Sequence, residues 1–161
     1  LFANDGSGRF LEVSSANPAF CGHAAVGRGL AWGDVDNDGA PDLLVMNTGA
    51  PARLLRNVAP ARGHWLGIRT VEPAFGGRDA CGAEIKVLAG GKEWRRWQQP
   101  GGSYLVSHDP RAEVGLGPAA TYERIEVGWP DGTTETFPGG AADRFVTLRH
   151  GSGAKILAGG K

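Results

Sequence analysis

The chain has 161 residues, enough for one or two small domains, and its 17 lysines and arginines are balanced by 17 aspartates and glutamates. This balance argues against a nucleic-acid-binding protein or a binder of anionic membrane surfaces, because both need a positively charged face. No apolar run approaches the roughly 20 residues that a membrane span needs. The 27 glycines and 10 prolines separate short hydrophobic segments, which predicts many short strands joined by tight turns and no helix longer than two turns.

Residues 1–60 are predicted to form a first unit. The opening stretch LFANDGSGRFLEVS has a Gly-rich turn between two short apolar segments, which predicts a β-hairpin. Further strands are predicted in GRGLAWGDV, PDLLVMN and ARLLRN. The segment VAPARG, residues 58–63, is predicted to link this unit to the next.

An acidic loop, DVDNDGAPD, lies between two of these predicted strands. Aspartates at positions one, three and five of a curled loop point their oxygens inward, and Gly39 permits the sharp turn. An all-oxygen set suits Ca²⁺ at about 2.3–2.6 Å better than zinc or copper, with Mg²⁺ as a less suitable alternative. The predicted ligands are Asp34, Asp36, Asp38, the backbone carbonyl of Ala40, and Asp42.

Two observations separate this loop from an EF-hand. Position twelve is Val45 rather than glutamate, and the flanking segments are predicted strands rather than helices. The alternative to a metal site is a solvated Asp/Gly turn without an ion. Four carboxylates this close repel one another, however, so a cation among them is the better explanation.

Residues 61–150 are predicted to form a second, β-rich unit. HWLGIRTVE and RFVTLRH are predicted strands, and two hairpins are predicted to turn at Gly90–Gly91 and at residues 130–132. In the second hairpin Ile125, Val127 and Trp129 share one face. Six or seven strands without helices favour a β-sandwich or a partly open barrel. Residues 151–161 are predicted to be a flexible tail, and the alternative is that residues 155–158 add a strand to a neighbour's sheet.

The sequence gives little evidence of catalytic residues. Ser103, His108 and Asp109 are the residue types of a nucleophile–base–acid triad, but side chains this close in one strand-like run do not readily converge. The chain is therefore predicted not to be an enzyme. The four histidines have no zinc-ligand spacing: His23, His64, His108 and His150.

Two pairs of residues leave open questions. Trp94 and Trp97 have opposite strand parity, so one of them is predicted to be exposed, where it could contribute to a sugar or peptide surface. The other reading is one core tryptophan and one tryptophan covered by arginine. Cys21 and Cys81 allow one disulfide in an extracytoplasmic setting, or two buried thiols.

The motifs also resemble known families. VGRGLAWGDVDNDGAPDLLVMN followed by RLLRN is similar to an FG-GAP (VCBS-type) repeat, a blade of the integrin-like β-propeller. HWLGIRTV, GAEIKV, GGSYLVSHDPRAEVGLG and IEVGWPDGTTETF resemble the ASPIC/UnbV domain. That domain follows FG-GAP repeats in bacterial surface or secreted proteins and in the cartilage acidic protein family. The resemblance implies an all-β fold: an FG-GAP-like propeller-blade segment with a calcium loop, then a β-sandwich-like ASPIC/UnbV domain.

The same resemblance implies a function. It points to a calcium-stabilised, non-enzymatic adhesion or structural protein that is extracellular, at the cell surface or periplasmic. The implied partners are upstream propeller blades or other copies of the chain, and a glycan is a further candidate. The alternatives are a self-assembling subunit of an extracellular filament and a carbohydrate-binding module of a larger protein. Cys81 stands where the family more often has an aliphatic residue, so a Cys21–Cys81 disulfide joining the two units is a further hypothesis.

Overall fold

The computed structural model describes residues 1–60 and 62–156. The described chain is all-β, as predicted, and its strands form four sheets. Two sheets belong to the first sixty residues and two to the remainder. None of the helices in the described ranges combines the length and the apolar character that crossing a membrane requires.

The first unit is built from two small antiparallel sheets and one short helix. The predicted opening hairpin is confirmed, and the acidic loop connects two strands as expected. Asn17 caps the helix by accepting a hydrogen bond from the Phe20 amide. The elements are β1 (Phe2–Asn4), β2 (Phe10–Glu12), α1 (Pro18–Cys21), β3 (Gly27–Gly33), β4 (Asp42–Asn47) and β5 (Arg53–Leu55), with a 3₁₀ turn at Ser14–Ala16. Sheet order is β1-β2 and β3-β4-β5.

The first unit has almost no hydrophobic interior of its own. Its only buried residues in the described range 1–60 are Asp34, Ala40 and Asp42. Large apolar side chains such as Phe2 and Phe10 are instead about two-thirds exposed, at 66% and 64%. Hydrophobic burial therefore contributes little to the stability of this unit.

The second unit is a pair of facing sheets. One has the order β10-β6-β13, with β7 paired to β6, and the other has the order β14-β12-β11-β8-β9. Most pairs are antiparallel, whereas β13 runs parallel to β6. The strands are β6 (His64–Glu72), β7 (Arg78–Asp79), β8 (Glu84–Ala89), β9 (Lys92–Trp97), β10 (Ala112–Gly117), β11 (Thr121–Gly128), β12 (Thr134–Ala141), β13 (Arg144–Arg149) and β14 (Ala154–Lys155). A 3₁₀ turn spans Pro73–Phe75.

The hydrophobic core lies between these two sheets. Every buried member of the core cluster belongs to the second unit, and both sheets contribute. Ile125, Val127 and Trp129 lie on its inner face, as the period of two predicted. Both predicted hairpins are present as β8-β9 and β11-β12. Strand β10 was missing from the predicted strands, although its alternating Ala112, Val114 and Leu116 carry the signal of a half-buried strand.

Two sequence predictions need correction. The chain does not become a flexible tail at residue 151, because the turn after β13 leads into β14, which pairs with β12 of the same chain. Residues 157–161 lie outside the described residues. Of the two alternatives for the cysteines, the Cys21–Cys81 disulfide is not formed, and the thiols are not buried either, because Cys21 is half-buried and Cys81 is exposed. Cys21 ends α1 of the first unit, whereas Cys81 lies beside Glu72 and Asp131 of the second unit.

Candidate metal centre

Three carboxylates of the acidic loop converge. Carboxylate oxygens of Asp34, Asp36 and Asp42 all lie within 4.8 Å of one another. The sheet register explains this meeting, because Gly33 at the end of β3 pairs with Asp42 at the start of β4. Asp34 therefore leaves the sheet directly beside the point where Asp42 enters it.

The loop backbone curls around two of these carboxylates. Asp34 accepts hydrogen bonds from the amides of Asp38 (3.1 Å) and Gly39 (2.7 Å). Asp42 accepts from the amides of Val35 (3.0 Å) and Asn57 (2.8 Å). These bonds fix the two carboxylates in place and leave further lone pairs on their oxygens.

The two central carboxylates have no directly bonded cationic side chain in the described ranges, and Arg62 and Arg111 attract Asp34 only from a greater distance. Asp34 and Asp42 are only 2% and 3% exposed. Across the part of the chain that the structure describes, no lysine, arginine or histidine forms an ion pair with either carboxylate. Buried charges without a partner are strongly unfavourable. Three converging oxygen donors with unmatched negative charge fit a hard divalent cation such as Ca²⁺.

The other predicted ligands are arranged differently. Asp36 also bonds to Arg56, an exposed side chain. Asp38 lies outside the cluster of three, because its carboxylate accepts from the Ala40 amide (3.0 Å) and from Arg62 (2.9 Å). The hydrogen bond from Arg62 is the main cause that lowers the pKa of Asp38. The Ala40 carbonyl as a ligand stays a prediction.

Arg111 of the second unit contacts the acidic loop directly. Its Nη2 donates to the backbone carbonyl of Asp34 (2.8 Å), and its Nη1 donates to Oδ1 of Asn37 (2.6 Å). The same guanidinium donates to the carboxylate of Asp109 through Nε and Nη2, and it lies 4.1 Å from the centre of the Phe145 ring. Its pKa is raised, first of all by the hydrogen bonds to Asp109. Arg111 therefore joins the loop to the second unit.

Two glycines allow the units to approach this closely. A Cβ on Gly33 would lie 2.8 Å from the Cβ of Asp109, and a Cβ on Gly39 would lie 2.1 Å from the Trp65 ring. Gly39 also has a φ of +85°, in the left-handed region that disfavours residues with a Cβ. The acidic loop is thus seated against Trp65 of the second unit.

Ser103, His108 and Asp109, whose residue types were considered for a triad, lie at the same junction without forming one. The Trp32 amide donates to Nδ1 of His108 (3.3 Å), so a neutral His108 carries its proton on Nε2 and donates to Oγ of Ser103 (3.1 Å). In this tautomer His108 has no free nitrogen to take a proton from Ser103. Asp109 bonds to Arg111 rather than to His108.

Glu113 is a half-buried residue, and in the described ranges it alone has buried side-chain polar atoms without a hydrogen-bond partner. Both of its carboxylate oxygens are enclosed and unpartnered. Burial raises the pKa of Glu113 to about 7, and the negative charges of Asp34 and Asp109 add to the effect. Arg111 opposes the increase. The carboxyl therefore gains a proton more readily in the folded chain than in the unfolded chain.

The tryptophans of β9 follow the parity prediction. Trp94 packs against the core, whereas Trp97 is 56% exposed. Strand β9 is an edge of its sheet. The neighbouring arginines are engaged, because Arg95 pairs with Glu93 and Arg96 donates to the carbonyl of Glu113.

Sequence reasoning missed the residues that join the two units. Arg111, Trp65 and Arg62 contact the acidic loop from outside it. Arg111 and Asp34 are 77 positions apart, so no local pattern connects them. The weak signal was Gly33 directly before the acidic stretch and Gly39 within it, because glycine is typical of positions where another part of the chain approaches closely.

The fold and the site define an all-β protein with an acidic loop between two antiparallel strands. The family model of the FG-GAP-like repeat matches residues 1–45, and that of ASPIC and UnbV matches residues 74–155. Since the second match spans half of the chain, the protein belongs to the ASPIC and UnbV family, with an FG-GAP-like repeat preceding that domain. The order of the two domains is the one predicted from the sequence. A search of curated proteins found no match.

Proposed function

We propose that this protein is a calcium-stabilised, extracellular, non-enzymatic adhesion or structural protein. The observation that carries the proposal is the pair of buried carboxylates, Asp34 and Asp42, which lack a cationic partner in the described chain and lie beside Asp36. Asp34, Asp36 and Asp42 would hold the ion, and Asp38 and the Ala40 carbonyl are further candidate ligands.

The proposed role of the ion is structural. A cation among the three carboxylates would offset their repulsion and the unfavourable burial of two of them. Because the unfolded loop does not hold these oxygens together, calcium binding would favour the folded state of the first unit. This role agrees with the small amount of apolar surface that the unit buries.

The apolar surface of the first unit supports an adhesive or structural role. A cavity of about 620 Å³ lies between α1 and the β4-β5 edge and is lined by apolar side chains such as Phe20, Leu43 and Leu54. Exposed apolar surface of this kind is typical of contacts with other protein units. Further propeller blades or other copies of the chain are the proposed partners, and copies in series would make a filament.

The arrangement of His108 supports a non-enzymatic role. Its Nδ1 accepts from the Trp32 amide and its Nε2 bonds to Ser103, so the ring is held in a structural network between the two units. An acid–base catalyst needs a free nitrogen directed at a substrate. We therefore assign His108 to the junction.

A carbohydrate-binding role is the second candidate, and one observation favours it. Trp97 exposes more than half of its surface at the edge of the five-stranded sheet. Glycan-array binding that is lost in Trp97→Ala and kept in Trp94→Phe would support this role. Absence of glycan binding by the wild type would exclude it.

The calcium proposal is tested by thermal unfolding with calcium and with chelator. We expect calcium to raise the Tm of the wild type and of the control Asp5→Asn, whose carboxylate bonds within the first hairpin turn. Asp34→Asn should lose most of this increase. A wild-type Tm that is the same in calcium and in chelator would contradict the proposal. Light scattering under both conditions would distinguish a monomer from an assembly of copies.

A further inference from the structure

Arg111 is placed to act on the metal loop from the other unit. The side chain is 22% exposed and makes five hydrogen bonds through one guanidinium. Two of these contacts reach the acidic loop, and the others hold Arg111 to Asp109 of its own unit. Its other face lies over Phe145. Contacts within the second unit therefore hold the guanidinium in place independently of its contacts with the loop.

Arg111 contacts the acidic loop at two positions where the backbone of the loop turns. The Asp34 carbonyl belongs to the first residue of the acidic stretch, and Asn37 stands at its apex with a left-handed φ of 59°. Asparagine adopts this conformation more readily than other residues with a Cβ. The bond from Nη1 of Arg111 to Oδ1 of Asn37 (2.6 Å) therefore connects the second unit to the turn of the loop.

Charge does not prevent Arg111 from acting beside a cation. Its positive charge is paired with the Asp109 carboxylate at 2.5 Å. The pair is neutral overall, so its repulsion of a nearby ion is small compared with that of a free arginine. Within the loop Arg111 bonds to a carbonyl and an amide oxygen, and it leaves the three converging carboxylates free for the ion.

We infer that Arg111 is a positioning residue for the metal site, through which the ASPIC/UnbV unit holds the acidic loop in its metal-binding form. The inference rests on the proposed calcium function. Calcium binding in the first unit and docking of the second unit are then coupled, and each strengthens the other. Loss of contacts in the outer shell of a metal site typically weakens binding about 10- to 100-fold.

Calcium titration by calorimetry on the full chain tests this inference. We expect Arg111→Met to weaken calcium binding about tenfold, at the lower end of that range. Arg111→Lys should not restore the affinity, because one ammonium group cannot reproduce a planar fork that bonds to Asp109, Asn37 and Asp34 at once. The matched control is Arg69→Met, which breaks an ion pair with Asp79 in the same unit without a contact to the loop. The calcium affinity of Arg69→Met should equal that of the wild type.

A double-mutant cycle separates positioning from general loss of stability. Asn37→Gly keeps the left-handed backbone accessible and removes the acceptor of Arg111. The affinity loss of the double variant should be smaller than the sum of the two single losses, because both changes break the same contact. Near-UV circular dichroism verifies the fold of each variant, and Arg111→Lys serves if Arg111→Met does not fold.

The outcomes are distinguishable. Wild-type calcium affinity in a folded Arg111→Met or Arg111→Lys variant would overturn the inference and leave the calcium function intact. Additive losses in the cycle would overturn it as well. A wild type that does not bind calcium would overturn the proposed function together with the inference.

Discussion

The two units of this protein are stabilised by different forces. The second unit has a continuous core between two sheets, with Ile85, Val87 and Ile125 fully buried. In the first unit, two of the three buried residues are aspartates, and most of its large apolar side chains remain exposed. One unit is therefore held mainly by hydrophobic burial, and the other by hydrogen bonds, charge and its contact with its neighbour.

This difference explains why the acidic loop is important for the fold. A three-stranded sheet with little buried apolar surface is marginally stable in water. The loop buries two carboxylates, and their burial is favourable only if a positive charge matches them. The neighbouring unit contacts the loop through Arg111 and Trp65, and the proposed cation would match the charge of these carboxylates.

The largest predicted difference between the units is in their response to loss of side-chain volume. Ile125→Ala should destabilise the second unit by about 2–5 kcal/mol, because it leaves a cavity in a fully buried core. Leu44→Ala, on the half-exposed face of β4, should cost less than about 1 kcal/mol. Chemical denaturation of both variants measures the two effects. Equal losses would contradict the contrast between the units.

The next effect concerns the contact between the acidic loop and Trp65. Gly39→Ala should cost about 3 kcal/mol, because the new Cβ combines an unfavourable φ with a collision against Trp65. The matched control is Gly49→Ala, which has a φ of +72° and open space around it, and it should cost about 1 kcal/mol. Thermal unfolding in saturating calcium compares them. Similar losses would mean that contact with Trp65 is unimportant.

The smallest effect concerns pH at the junction. The pKa of Glu113 is raised from 4.5 to about 7, so the folded chain binds this proton more tightly than the unfolded chain does. Stability from this group is fully present below about pH 4.5 and is lost as the pH rises through 7. Glu113→Gln should therefore stabilise the protein at pH 8, on the order of 1 kcal/mol after solvent screening, and have little effect at pH 4.5.

Denaturation curves of Glu113→Gln and of the wild type at several pH values measure this effect. A Glu113→Gln variant that is less stable than the wild type at pH 8 would show that the charged form of Glu113 is favourable.

Local patterns predicted much of the fold. The alternation in β11 and the glycine turn between β8 and β9 specify their hairpins over short distances, and the strands around the acidic loop are marked by its apolar flanks. The meeting of Asp34 and Asp42 also follows from local sequence, because it depends on one hairpin register.

The remainder depends on contacts distant in sequence. Asp38 is turned towards Arg62, 24 positions away, and the acidic spacing alone could not indicate this competing cation. Arg111 and Asp34 are in contact although they are 77 positions apart in the sequence. Strand β14 forms only because the chain folds back and pairs it with β12. Residue type and spacing therefore predict the candidate ligands better than they predict what holds those ligands in place.

Hydrogen exchange with and without calcium is the most direct test of the contrast between the two units. If a cation orders the first unit, calcium should slow exchange in β3, the acidic loop and β4 and leave the core strands β8 and β11 unchanged. Exchange in residues 27–47 that is identical in calcium and in chelator would contradict the account.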